Sequence, residues 1–591
     1  MLRYNISLLL VFALPATALG TTWIVQPNGM GNFPTIQAAV DGSINGDIIE
    51  LTDGYFTGPG NRDVYIYQKT LTIRSQTGDP NTTEIHPEGD ESNYHRAFYF
   101  ENLSSDFCLE GIGITSGFHD DGGAIYCLNA NPTITNCVFG ANFAWDDGGG
   151  AYLANSNPNF INCRFIFNEA DYGAGICCWD SHATFTDCEF WRNSALLSGG
   201  GLCGRSYSNI TLENCIFDEN KVVQSGGGIY CREASSISAT ATTFEYNEAA
   251  AGGGVYGHTA RFNLGECEIR HNSAASGAGL FISDPDSFAV LACTFHANSG
   301  NWGGGIFLTN SGTSNSIEDC EFTENHAITG GGLYFTDYSS PSITGCTFMR
   351  NWAGDHGGGG YFQYESNCIM GSCTFFENTA SDGACLALAM ESYPVVVSSI
   401  FSFGIIGEAV YCFAQPGNPA FYCCDVYGNE GGDYVGCIAG YNNELGNFSA
   451  DPQFCDAPID DLTLSIDSPC LPGNHPNGSN CGRIGAHDLG CDPAAINSGF
   501  VAGKGFILSA QPNPFSSTTH LTWATPESGA ARLSIFDIAG RRINQFEFLG
   551  SIGTMIWDGT DSRGAPAAPG TYLLQLEAGT TRGTKRITVL R

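Results

Sequence analysis

The chain has 591 residues, with 77 glycines, 25 cysteines and 60 acidic against only 23 basic side chains. It is 14% charged with a formal net charge of −37, yet its 42% hydrophobic and 12% aromatic content suffices for a core, which argues against disorder of the whole chain. Four lysines cannot line a phosphate-neutralising groove, so nucleic acid is excluded as a partner.

Residues 1–20 read as a signal peptide: one positive residue, Arg3, an apolar run from Ile6 to Leu14, and small residues at Ala16-Thr17-Ala18. No later stretch has the roughly 18 uncharged apolar residues of a membrane-crossing helix, so the mature chain is expected to have no transmembrane segment. The expected location is extracellular or on the cell surface, associated with an outer membrane. Export permits disulfides, and an odd cysteine count leaves at least one thiol unpaired.

Residues 21–120 are expected to hold an N-terminal cap and the first coils of a repeat. Phe33 to Val40, with Pro34 near its start, has a helical look and would plug the open end, because an uncovered stack of strands would polymerise.

Residues 121–440 are organised by two columns in phase. A glycine block precedes an aliphatic column at Ile125, Ala151, Ile176, Leu202, Ile229, Val255, Leu280, Ile306, Leu333, Tyr361 and Leu386, stepping by 25 to 28 residues. The pattern C-x-F-x-x-N, with Thr242 in the Cys place of one unit and Ile269 in the Phe place of another, ends at Asn142, Asn168, Asn193, Asn220, Asn247, Asn272, Asn298, Asn325, Asn351 and Asn378. Units of this length could be leucine-rich repeats, helix pairs, propeller fragments or coils of a parallel β-helix. Abundant Gly, Ser, Thr, Asn and aromatics with little Leu, Lys or Glu favour short strands. Gly226 to Ala251 parses as three β-prone runs, around Ile229, Ile237 and Phe244. The expectation is an all-β fold: a right-handed parallel β-helix with three strands per turn and about fifteen coils, about 70 Å long, followed by a small immunoglobulin-like β-sandwich.

Each column has a structural reading. Phe139, Phe165, Phe190, Phe217, Phe244, Phe295, Phe322, Phe348 and Phe375 would stack in the core. The asparagines would form a corner ladder, tolerating left-handed backbone angles and bonding to the coils on either side. The glycines allow positive φ or close backbone approach. Cys137, Cys163, Cys188, Cys215, Cys267, Cys293, Cys320, Cys346 and Cys373, with Thr242 in the missing place, would be a buried thiol stack. Parallel neighbours about 4.8 Å apart exceed the ~3.8 Å Cβ spacing of a disulfide.

Residues 441–491 are expected to be a Cys-rich C-terminal cap, in which Cys455, Cys470, Cys481 and Cys491 would form two disulfides. Residues 492–506 read as a linker. Residues 507–591 alternate apolar and polar positions between Gly-rich turns and read as the sandwich. This last segment carries a net +2, leaving −39 on the rest of the chain.

Three resemblances follow. FPTIQAAVD…NGDIIELTDGYFTG resembles the N-terminal cap of pectin-lyase-like right-handed β-helix proteins. The GGxI and FxxN pairs of residues 122–378 resemble the repeats of chlamydial polymorphic outer-membrane proteins. Those proteins carry a large C-terminal membrane barrel, which eighty residues cannot form, so export by a separate machine is implied. Pro512-Asn513-Pro514-Phe515, Asp537-Ile538-Ala539-Gly540-Arg541, Trp557-Asp558-Gly559 and Pro569-Gly570-Thr571-Tyr572 resemble type IX secretion sorting domains. They equally resemble the immunoglobulin-like domain of flagellar hook-capping proteins. The sorting resemblance implies that residues 507–591 are read by outer-membrane secretion machinery.

Carboxylate pairs that could hydrolyse a glycan are Asp120-Asp121 and Asp146-Asp147, with His119, His258 and His356 near such positions. The polygalacturonase NTD, GHG and RIK motifs, the R-x-P-x-x-R pattern of pectate lyases and the QDTL-like segment of pectin methylesterases are absent. The aspartates read more simply as turn residues before the glycine block, so no catalytic, cofactor-binding or metal residue is assigned. No cofactor is predicted. Exposed acidic turns could take Ca²⁺, but unspecifically, since no D-x-D-x-D-G loop is present. The reading is an exported adhesive or structural passenger meeting a surface polysaccharide or host-cell ligand, with Trp145, Trp302 and Trp352 available to stack on sugars. The alternative is a polysaccharide lyase or hydrolase.

Overall fold

A computed structural model describes residues 20–413, 418–491 and, with short gaps, 507–590. The expected signal peptide, apart from Gly20, the linker 492–506 and Pro512-Asn513-Pro514 lie outside the described residues. The chain falls into two compact units, one ending at Cys491 and the other beginning at Asp492.

The first unit is a parallel β-helix. Three sheets run along it: sixteen strands from Thr22–Val25 to Ala420–Tyr422, fifteen from Gly54–Phe56 to Asp425–Tyr427, and fourteen from Val64–Tyr67 to Val410–Cys412. Each strand pairs in parallel with its equivalent one coil away, as Val255 does with Leu280 and Phe217 with Phe244. Sixteen strands at about 4.8 Å give a shaft about 70 Å long. The expected three strands per turn are exceeded in part of it. Five strands from Phe118–Asp121 to Lys221–Val222, and the pair His326–Thr329 with Trp352–His356, form a fourth side between the asparagine corner and the glycine block. These segments are short, and many of their residues are polar or small, so no hydrophobic run announced them.

The core is columnar. Phe139 to Phe244 stack ring on ring at 4.4 to 5.1 Å, and Phe295 to Phe401 at 4.5 to 4.8 Å, with Ile269 between the two runs. The asparagines are fully buried beside them. Asn272 is typical: its Nδ2 donates to Phe244 O at 2.9 Å and to Asn298 Oδ1 at 3.0 Å, while its Oδ1 accepts from the backbone N and Nδ2 of Asn247. Every side-chain polar atom is thereby satisfied without water. The left-handed backbone angle, however, is not taken by the asparagine. It falls on the residue before it, such as Phe167, Tyr246 or His271, at φ near 54°. That residue points outward and turns the corner, leaving asparagine extended and inward.

The glycine block divides its tasks by position. Gly148 has φ +69°, whereas a Cβ on Gly150 would lie 2.5 Å from Gly175 O in the next coil. The first glycine supplies a conformation and the third a close approach. At the corner before the first sheet the sequence held a second ladder: backbone N of Ala130, Ser156, Ser181 and Ser208 each donates to the serine Oγ of the following coil at 3.0 to 3.1 Å.

The thiol column is free and buried, and its Sγ atoms approach backbone carbonyls, as in Cys163 to Ile134 O at 3.4 Å. Thr242 and Ser399 replace thiols and accept the same backbone N–H. In the C-terminal cap the expected pairing needs correction. Cys455 bonds Cys491, but Cys481 reaches back to Cys423 in the last coil, Cys412 bonds Cys437, and Cys470 stays free beside Asp425. The cap folds back over the second sheet, where Gly485 N donates to Ser398 O and Ala486 N to Thr374 Oγ1, and His487 meets Thr347.

The first coil is covered by the helix Ile36–Gly42, capped by Thr35 Oγ1 accepting from Ala38 N, with Ile36, Ala39 and Val40 buried. The helix begins three residues later than the expected Phe33, which instead bridges to Val25.

The second unit has a three-stranded and a four-stranded sheet, both antiparallel, over a core of Leu521, Leu533, Ile535, Trp557, Leu574, Leu576 and Ile587. First, second and fifth strands form one sheet; the third, fourth, sixth and seventh form the other, a strand order of the immunoglobulin type in which the fourth strand stays beside the third.

Candidate functional site

In the third sheet the aliphatic column points inward, so the next residue in each strand points outward. The register places Tyr65, Tyr99, Tyr126, Tyr152, Cys177, Cys203, Tyr230, Tyr256, Phe281, Phe307, Tyr334, Tyr361, Ala387 and Tyr411 in one line. Eleven of these fourteen are aromatic, with neighbouring rings 4.8 to 5.6 Å apart; Tyr99–Tyr126 and the run Tyr230 to Tyr334 are stacked, while Tyr65–Tyr99, Tyr126–Tyr152 and Tyr334–Tyr361 are tilted by 36 to 53°. Such stacking adds about 0.5–1.5 kcal/mol per pair beyond area burial. Stacked neighbours cover one another's faces, so most of the rings are half-buried and Tyr230, Tyr334 and Tyr361 are buried, while Tyr65 at the N-terminal end is exposed. Sequence reading missed this stripe because it sits beside a column that already explained the strand.

The fourth side ends next to this stripe. Asp121 and Asp147 are register partners there, and both are half-buried. Asp120 and Asp146 face solvent. Arg205, two coils further on, closes over Asp147: its Nη2 donates to both carboxylate oxygens at 2.7 Å, and its guanidinium lies 4.4 Å from the Tyr172 ring and 5.1 Å from Trp179. This clasp covers Cys177 and Cys203, where the aromatic stripe is interrupted. Burial pushes the Asp147 carboxyl up to about 6 against the pull of Arg205. Burial and then the Asp146 charge push Asp121 up as well.

Nearer the N-terminus a cavity of about 440 Å³ is lined by Asp63, Tyr65, Arg96, Tyr99, Glu101 and His119. Asp63 accepts from His95 Nδ1 at 2.6 Å, and Glu101 accepts from Tyr65 OH at 2.8 Å. Arg96 lies over the rings of Tyr126, at 4.9 Å, and Tyr99, at 5.8 Å. Burial, then the Arg96 charge, lowers His119 to about 4, so its ring is neutral at pH 7.

The structure thus brings Asp121, Asp147 and His119 to one region and leaves the other histidines apart. His258 sits five strands further along the third sheet, near Ser283 and Asp284, and His356 lies near the far end beside Asp382. Trp145, Trp302 and Trp352 are exposed at 42 to 45% on the fourth side. Arg96 and Arg205 were not found by sequence reading. Scarcity was their only signal, since Arg205 and Asp147 are 58 residues apart and meet only through the coil register.

Among the described residues, no group of three His, Cys, Asp or Glu side chains could hold a metal ion, and no helix is long and apolar enough to cross a membrane.

A family model described as "Right handed beta helix region" matches residues 174–329 and 301–448. No curated protein matches the chain. Among the solved structures that align with it, three do so at low scores. Dimeric latent PorU from Porphyromonas gingivalis shares 18% identity over 15% of this chain, which spans only 10% of that one, with a TM-score of 0.13. Pectate lyase Pel9A shares 11% over 80% of this chain and 98% of that one, at 0.23. The siphovirus 9NA tailspike receptor binding domain shares 10% over 96% and 98%, at 0.18. The parallel coil register and the family match together make residues 22–427 a right-handed parallel β-helix.

Proposed function

We propose that the protein is an exported β-helix, surface-displayed or released, that binds polysaccharide in an adhesive or structural role. The observation that carries this is the outward aromatic stripe with half-buried charged groups beside it. Ring edges, phenol hydroxyls and carboxylates laid out along a straight axis suit an extended sugar chain. The test is retention of soluble acidic and neutral polysaccharides by the immobilised mature protein. Binding should fall at least tenfold in Tyr99→Ala/Tyr126→Ala, and retention of none of them overturns the proposal. Three disulfides fit an oxidising compartment. The chlamydial-type repeat is consistent with a shaft that displays a surface. The C-terminal sandwich is the element addressed to outer-membrane secretion machinery. A chain ending at Gly505 should then remain in the periplasm, and its arrival at the surface would refute that role.

A second reading, cleavage of the bound polysaccharide, is favoured by one observation. Asp121 and Asp147 are adjacent carboxyls in register, and burial raises both, the direction in which a general acid must be shifted. Turnover lost in Asp121→Asn supports it; no turnover across the same panel eliminates it.

A further inference from the structure

Among the described residues of the first unit there are eleven arginines. Ten of them, Arg205 included, have a carboxylate oxygen within ion-pair distance. Arg96 has none, although it is among the most buried, at 6% exposure. Its guanidinium makes no hydrogen bond to a described residue, and Nη1 is sealed from solvent without a partner. An unpaired buried cation is costly, which is why such groups are normally matched by a carboxylate.

The acids around it are otherwise engaged. Asp63 is held by His95 Nδ1 and by the backbone N of Arg96, and Glu101 by Tyr65. Asp121 influences Arg96 through its charge without contacting it. His119 is neutral, so Arg96 is the one cation on the cavity wall. The ring of Tyr99 supplies an apolar surface, and the remaining carboxylate lone pairs can accept from hydroxyls.

We infer that this cavity is an anion-recognising subsite, in which the Arg96 guanidinium takes the carboxylate or sulfate group of an acidic sugar unit while Asp63 and Glu101 accept from its hydroxyls. The inference rests on the polysaccharide-binding reading and names its substrate class. It runs against the charge of the molecule as a whole, because a strongly acidic shaft repels polyanions at long range. Selectivity would reside in one planar, fork-shaped donor able to bind an oxyanion through two hydrogen bonds.

The experiment is calorimetry on the full mature chain with four probes: oligomers of a uronic acid, the same oligomers methyl-esterified, sulfated galactan oligomers, and those desulfated. At least one acidic probe should bind tenfold or more tightly than its neutral counterpart, and which pair discriminates identifies carboxylate or sulfate. Arg96→Gln should bring each acidic probe and its neutral counterpart to the same affinity, and Arg96→Lys should retain part of the discrimination. Equal binding of acidic and neutral partners by the unaltered protein overturns the inference, independently of how any variant folds. Discrimination that survives Arg96→Gln also overturns it. Binding of none of the four removes the polysaccharide reading together with this one.

Discussion

Replacing Asn272 by alanine tests the ladder on which the shaft depends. The substitution removes an acceptor used by the backbone N–H and one amide N–H of Asn247, and a donor used by Phe244 O. Asn298 Oδ1 keeps its bond from the backbone N of residue 272. Three buried polar groups are therefore stranded in a site without solvent access, at about 1–3 kcal/mol each. Partial relaxation brings the expected loss to about 4 kcal/mol. Because solenoid stability is a sum of repeat and nearest-neighbour terms, the loss should be local. Native-state hydrogen exchange should show it in amides between Asn220 and Asn325, with distant coils unchanged. Asn263→Ala, at an outward and exposed position of the first sheet, is the control and should cost less than about 0.5 kcal/mol. If Asn272→Ala is no more damaging than Asn263→Ala, the ladder is not a stabilising element and the argument fails.

Other outcomes follow from burial and charge. Of nineteen free thiols only Cys108 is not buried, so iodoacetamide should label at most that one in the native protein and all nineteen after denaturation without reductant. Asp425 is buried, with its carboxyl pushed up to about 8 by desolvation from an ordinary value of 3.8. The folded state thus holds the proton more tightly, so the contribution of this carboxyl to stability is fullest below about pH 4 and is lost as pH rises towards 8, by up to about 1.4 kcal/mol per unit. Asp425→Asn should flatten that dependence and raise the melting temperature at pH 8; an unchanged slope would show that Asp425 does not titrate in this range. Arg205→Met strands the half-buried Asp147 carboxyl, which must stay a desolvated ion or take up a proton, and should cost about 3 kcal/mol, whereas Arg205→Met/Asp147→Leu should recover much of it. A double variant as unstable as the single one contradicts the ion-pair account.

The sequence by itself determined the coil. Two columns in phase place the Phe stack, the asparagine corner and the glycine block, because each must recur once per turn to meet its own kind. It also determined that the column cysteines stay apart, since in-register strands hold neighbouring thiols too far apart to bond. Only the tertiary structure decided which groups meet across coils. The outward stripe of Tyr99, Tyr126 and Tyr152, the clasp of Arg205 on Asp147, and the bond of Cys423 to Cys481 join residues from 26 to 58 positions apart. Nothing in local propensity marks such partners, because their contact depends on the cumulative length of the intervening coils and on which face each side chain takes. The fourth side and the left-handed residue before each asparagine were hidden for a related reason: backbone close to the corner is set by where the chain must turn, while its side chains are free to vary.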